Sequence, residues 1–429
     1  MNYSDYYLNE MHIHPKALSF VRNAQRDIQK KFTDLNEMAE YHQARILNVF
    51  GKHRISPRHF IGTTGYGYGD DGRDALDEVY RDIFGGESAL VRPQWVSGTH
   101  VLSDSLFALL RPGDILLSVT GCPYDTLNDV IGIREAVPGS LREWNVSYQE
   151  VDFSPEGNID RDKIKEKLEN KRIKTILIQR SKGYGWRKSL TVSEIGDTIS
   201  FIRSLRPDVF ILVDNCYGEF TEEREPSSVN ADLTVGSLIK NPGGGLAPTG
   251  AYAVGTKRAI DLLSQRLTSP GIGKEEGSFP YGYILYYQGL FLAPHTVAEA
   301  LKGAVLAGRI FHQLGYRVLP EWEEHRSDII QSIEFRSARE LIAFCQAIQS
   351  ASPVDGHVVP YPWDMPGYEH QVIMAAGTFV QGASIELSAD APIREPYIAY
   401  LQGGLTYAHV KLAMMKVLTR MYEEGFIQL

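Results

Sequence analysis

The chain carries an aspartate and a lysine in settings that suit carbanion chemistry. Asp214 closes the apolar run VFILVDN. A carboxylate at the carboxyl end of a parallel strand points into the crevice where open α/β sheets bind ligands. Lys240 follows in VGSLIKNPGGG, directly ahead of a glycine-rich turn. A lysine amine forms a Schiff base with an aldehyde, and an aspartate keeps a pyridine nitrogen protonated so that the ring can accept carbanion charge. The pair therefore matches the demands of pyridoxal 5'-phosphate. Spacing alone also admits a solvated lysine before a glycine turn, and an aspartate that only caps a turn, which the adjacent Asn215 could do as well.

A phosphorylated cofactor needs donors and a plate over its ring. Ser97-Gly98-Thr99 opens a helical pattern after a strand, where free N–H groups and the positive helix end favour a phosphate. Ser237 could reach the same phosphate from the other side. Tyr124, in TGCPYDT just past the strand DILLSV, can stack on the ring, although an aromatic in such a turn also serves plain loop packing.

Three other motifs carry less. Gly67 to Gly72 matches GxGxxG ahead of a helix, but SPRHFIGTT before it makes a poor buried strand and no acidic residue follows at the proper strand end. His12 and His14 have no carboxylate or cysteine partner nearby, so no metal is expected. Gly243, Gly244 and Gly245 lack the GK[ST] ending of a P-loop and are expected to let the chain pass close to the cofactor.

The elements that must position these residues alternate along the chain. Residues Leu18 to Val49 show helical spacing behind Pro15, an N-terminal arm. DDGRDALDEVYRDIFG reads as an amphipathic helix closed by Gly85 and Gly86. Strands of unbroken apolar residues (DILLSV, KTILIQ, VFILVDN) then alternate with helical patterns such as Asp160–Glu169 and Glu194–Leu205, the signature of βαβ units and a mainly parallel sheet. Beyond about residue 295, helices in HTVAEALKGAVLAGRIFHQLG, ARELIAFCQAIQSASP and AHVKLAMMKVLTRMYEEGF surround strand-like QVIMAAGTFV and ASIELSA. The expected division is an arm at 1–55, a large α/β domain at 56–300 and a smaller C-terminal α+β domain at 301–429.

Composition bounds the function. At 429 residues, 43% hydrophobic and 23% charged, the chain is long enough for more than one packed unit and is not a disordered or repetitive polymer. Lys and Arg number 44 against 53 Asp and Glu, a net charge of −9, which disfavours a phosphate-backbone binder, so no nucleic acid is expected. Cys122, Cys216 and Cys345 cannot make a disulfide framework. The first residues lack a basic and then apolar leader, and no window of 18 apolar residues follows, so the expectation is a cytoplasmic chain with no membrane partner.

VSGT, PYDT, LVDN and GSLIK occur in the order used by fold-type-I pyridoxal phosphate enzymes of the cystathionine and methionine γ-lyase class. TGYGYGDDGRD, VRPQWVSGTH, TGCPYDTL, IQRSKGYGWRKSL, VDNCYGEF and LIKNPGGGLAPTGAY resemble the aluminium-resistance protein family, described as carbon–sulfur lyases. The resemblance implies Lys240 as the Schiff-base lysine, Asp214 as the pyridine partner, Tyr124 as the stacking ring, and Ser97, Gly98, Thr99 and Ser237 as the phosphate cup. It implies a fold-type-I transferase fold: a seven-stranded, mainly parallel sheet flanked by helices, with the smaller α+β domain.

Two departures stand out. The lyase class uses a Tyr-x-Arg segment from a neighbouring subunit, whereas here the segment is Tyr66-Gly67-Tyr68, so Tyr66 and Tyr68 are expected at the cofactor across a subunit interface in a homodimer or dimer of dimers. Where the class holds the substrate carboxylate with an arginine before a Leu-Ser strand, this chain has Glu386, which leaves Arg394 first and Arg180 second for that task. The expected reaction is β- or γ-elimination on a sulfur-containing amino acid such as cystathionine, methionine or a cysteine-like compound. The alternatives are an aminotransferase on the same fold, or a non-catalytic protein that binds the cofactor and is linked to aluminium tolerance.

Overall fold

The computed structural model of the chain describes residues 3–365 and 368–429. Two units emerge: Tyr41–Ala293, and a second made of Met1–Glu40 together with Pro294–Leu429.

The large unit is built on a seven-stranded sheet: β1 Ser88–Arg92, β2 Ile115–Ser118, β3 Ser147–Glu150, β4 Ile173–Gln179, β5 Phe210–Asp214, β6 Leu233–Ser237 and β7 Ala251–Gly255. Their order is β1-β7-β6-β5-β4-β2-β3, and β7 alone runs against its neighbours. Alternation within each strand feeds two apolar layers. Leu177 and Leu212 enter one layer, under the helices Gly98–Leu109 and Lys257–Leu267. Ile176, Ile178, Ile211 and Val213 enter the other, with Ile164, Ile195 and Ile199 from the helices Arg161–Leu168 and Val192–Leu205. Burial on both faces explains why these strands read as unbroken apolar runs. This sheet, and the separate antiparallel one below, are what the fold-type-I resemblance implies.

Helix starts follow local capping chemistry. Ser97 Oγ accepts from the N–H of His100 at 3.1 Å, and Thr191 and Glu194 form a capping box. Gly85, at φ 76°, ends the helix Asp71–Phe84 in the left-handed region that glycine adopts without penalty.

The smaller unit holds an antiparallel sheet of β8 Arg317–Leu319, β9 Ile330–Phe335, β10 Val372–Ala375, β11 Ser388–Pro392 and β12 Tyr397–Gln402, in the order β10-β11-β12-β9-β8. ASIELSA, expected as a strand, is largely a turn, and β11 begins only at Ser388. The N-terminal segment holds a short helix, Tyr3–Asn9, and then two longer ones, Pro15–Asp27 and Gln29–Lys52, separated at the buried Ile28. Residues 1–40 group with the C-terminal part instead of standing as an arm, because Ile13, Leu18, Val21 and Ile28 lie in one apolar cluster with Phe311, Phe344, Met414 and Leu418. The helix Ile284–Gln313 has an apolar window long enough to cross a membrane, against expectation, but 72% of that window is buried inside the protein, as in a core helix.

Candidate active site

Parallel strands bring their carboxyl ends to one edge of the sheet, and that edge collects the candidate residues. Gln179 of β4 pairs in register with Asp214 of β5, and Ser237 closes β6 beside them. The helix Gly98–Leu109 begins at the same place. A Cβ added to Gly98 would lie 3.4 Å from Cys216 Sγ and 3.5 Å from Ser237 Cβ. The hydroxyls of Thr99 and Tyr124 are hydrogen-bonded at 2.7 Å, Thr99 also reaches Thr126 at 3.2 Å, and the Tyr124 N–H donates to Gln179 Oε1 at 3.0 Å. Seven expected residues, Ser97, Gly98, Thr99, Tyr124, Asp214, Ser237 and Lys240, therefore share one neighbourhood.

Charge is concentrated there. Burial pushes the Asp214 carboxyl up from its ordinary value, while Lys240 and the Cys216 N–H, which donates at 3.1 Å, pull it back. Burial works against the Lys240 ammonium, and its neighbours Cys216, Tyr217 and Asp214 outweigh that, so the amine is held well above the ordinary lysine value. Tyr124 is raised by burial and by Asp214.

Beneath this edge lies a buried polar network. Arg180 Nη1 donates to Asn215 Oδ1 at 2.8 Å and its Nη2 to Glu222 Oε2 at 2.6 Å, and Nη1 lies 3.4 Å from Glu225. Asn215 Nδ2 donates to Glu225 at 2.9 Å and to the Tyr252 hydroxyl at 3.1 Å, which in turn donates to Glu219 Oε1 at 2.9 Å. Glu219 Oε2 is buried without a partner, and burial pushes this carboxyl up to about 8. Arg180 is therefore committed to internal carboxylates. That removes it as a holder of substrate, because its fork is already filled.

Other expected residues are exposed or already engaged. Tyr66 and Tyr68 are exposed; Tyr68 Oη donates to Glu276 at 2.9 Å and the Tyr66 carbonyl accepts from Gly277. Arg394 is an exposed residue of the smaller unit, in the turn between β11 and β12. Glu386 accepts the N–H groups of Phe379 and Val380, each at 2.9 Å, so it anchors a turn. The GxGxxG segment follows a 3-10 turn, Pro57–Phe60, instead of a strand. His14 caps the helix Pro15–Asp27, its Nδ1 accepting from Lys16 N. The glycine turn after Lys240 is explained by backbone packing: a Cβ on Gly243 would fall 1.9 Å from the Leu238 carbonyl, and one on Gly244 2.3 Å from that of Gly289. Cys216, Tyr217 and Glu219 were not singled out from sequence for this site, although all three stand in VDNCYGEF directly after Asp214.

The donor set suits pyridoxal phosphate. Gly98 and Thr99 present N–H groups with no acceptor in their own helix, hydroxyls of Ser97, Thr99 and Ser237 cluster at that helix end, and an acid and an amine face each other at the strand ends.

A model of the family described as methionine gamma-lyase matches residues 17–422. An uncharacterized protein of Bacillus subtilis (strain 168) is 52% identical over 402 residues, 94% of this chain and 95% of that one. A solved structure described as a carbon-sulfur lyase involved in aluminum resistance, from Clostridium novyi NT, is 50% identical with a TM-score of 0.94, covering 98% of this chain and 99% of the other. A cystathionine gamma synthase from Xanthomonas oryzae pv. oryzae, 14% identical with a TM-score of 0.59 over 90% of this chain and 98% of that one, shares the fold. With its match running over nearly the whole length, the chain belongs to the methionine gamma-lyase family.

Proposed function

We propose that the chain is a pyridoxal-phosphate-dependent carbon–sulfur lyase acting by β- or γ-elimination on a sulfur-containing amino acid of the cystathionine, methionine or cysteine kind. The observation that carries this reading is the meeting of Lys240, Asp214 and the Gly98 helix start at one sheet edge. The likeness to the Clostridium novyi protein supports it. When bound, the cofactor supplies an aldehyde that condenses with amines and a ring that takes up carbanion charge.

In this reading Lys240 would hold the cofactor covalently and Asp214 would hold its pyridine end. Tyr124 would stack on the ring, while Ser97, Gly98, Thr99 and Ser237 would hold the phosphate. Lys240 Nζ, when neutral, takes the proton from the substrate α-carbon, the task of a general base within reach of its proton. Asp214 stays anionic beside a cationic ring nitrogen because the opposite charge offsets its burial. Arg394 is the residue proposed for the substrate carboxylate.

The test is direct. Purified protein incubated with pyridoxal phosphate should gain visible absorbance that survives desalting, and Lys240→Ala should lack it entirely. A screen of cystathionine, methionine, cysteine and related thioethers should then give keto acid and thiol with the wild type alone. A wild-type protein that stays colourless ends the cofactor reading; transfer of the amine to an added 2-oxo acid, without thiol release, replaces the lyase by an aminotransferase.

A further inference from the structure

The turn after β5 carries one more functional residue, on an argument that rests on the reading above. Lys240 Nζ lies over the face of Tyr217, 3.9 Å from the ring centroid. An aromatic face is electronegative and attracts an ammonium at this range. Tyr217 reaches that place with φ at 75°, in the left-handed region that a bulky side chain avoids, and Phe220 shares the condition at φ 62°.

Neighbouring bonds hold the turn in this form. Asn241 Nδ2 donates to the carbonyls of both Tyr217 and Glu219, each at 3.0 Å. Glu225 accepts the Phe220 N–H at 2.9 Å and Asn215 Nδ2 at 2.9 Å. Strained backbone persists where surrounding structure over-determines it, and it collects at functional sites. Asn241 directly follows Lys240, so one clamp fixes both the lysine backbone and the ring facing its amine.

We propose that Tyr217 is a catalytic residue whose ring face receives the Lys240 amine, fixing its place and stabilising the ammonium that forms when Nζ takes up the substrate α-proton. The other titratable groups facing Lys240 are Asp214 at the end of β5 and Cys216 and Glu219 on the same turn.

The test reads the titration of Lys240 in protein without added cofactor, as the pH midpoint of its acetylation followed by peptide mass spectrometry. Tyr217→Gly suits the left-handed backbone and removes the ring; its midpoint should fall by roughly 0.4–1.5 pH units, the span of a cation–π contact. Tyr217→Phe keeps the face but loses the hydroxyl's hydrogen bond to Lys240, so its midpoint should fall by less than that of the glycine variant. Tyr217→Asn, which also tolerates this φ, replaces the glycine variant if circular dichroism shows that variant unfolded. A ring-free variant with the wild-type midpoint overturns the proposal, as does a Phe variant that shifts as far as the glycine one. Because the midpoint needs no cofactor, failure of the pyridoxal phosphate reading shows separately, as a colourless wild type whose Tyr217 variants still shift.

Discussion

Arg180 of the large unit and Arg326 of the smaller one are both buried, and they are finished in opposite ways. Arg180 spends its guanidinium on Asn215, Glu222 and Glu225 and lends Nε to the Leu190 carbonyl at 3.3 Å. Arg326 donates through Nη2 to Gln331 Oε1 at 2.5 Å, while its Nε and Nη1 are buried without hydrogen-bond partners. Burial lowers Arg326 to about 10, against the pull of Asp328 and Glu324. A buried cation stabilises a structure only when its partners offset the loss of water, and removing it from a completed network leaves stranded anions behind. The first arginine is a keystone under the candidate site. The second is a buried cation that its own partners leave incompletely paired.

The contrast can be broken at three points. Arg180→Ala should cost about 3–5 kcal/mol in urea unfolding, because Glu225 would remain buried with its charge uncompensated; a loss under 1 kcal/mol would remove its keystone role. Glu219→Gln tests the same network through pH. The folded carboxyl titrates near 8 against an ordinary 4.5, so between these values the folded chain holds a proton that the unfolded chain has released, and stability falls as pH rises. Relative to the variant, the wild type should lose about 1.4 kcal/mol per pH unit across that window and level off above it. Parallel stability curves for the two proteins would show that Glu219 is ionised throughout. Smallest is Arg326→Met, expected to change unfolding free energy by less than about 1 kcal/mol or to raise it, since an apolar replacement of an incompletely paired buried charge is often neutral or stabilising. A loss on the scale of Arg180→Ala would erase the distinction.

Much of the large unit was legible because its chemistry is local. Unbroken apolar runs mark strands buried on both faces, and a parallel sheet then puts Asp214, Ser237 and Gln179 on one edge without further information. Lys240 and the Ser97 helix start followed from the same logic. What could not be read depends on contacts distant in sequence. Nothing in IELSAD says that Glu386 binds two backbone N–H groups, and nothing local to Arg180 announces Glu225. The positive φ of Tyr217 was hidden as well, since a tyrosine between a cysteine and a glycine advertises no left-handed turn; the polar run NCYGE after a buried strand was the available signal. In the smaller unit, the alternation of ASIELSA suggested a strand, but the bonds of Glu386 turn the chain there and delay β11 to Ser388.

The grouping of residues 1–40 with residues 294–429 has a consequence for how the protein is made. The first helices leave the ribosome with their apolar faces bare, and the surfaces that cover them, around Phe311, Phe344 and Met414, are translated only after the whole of the large unit. At about 5–20 residues per second that interval is on the order of tens of seconds. The large unit can close during synthesis, whereas Leu18, Val21 and Ile28 must wait for the last helix, Tyr407–Glu423, so the beginning of the chain is among the last parts to fold.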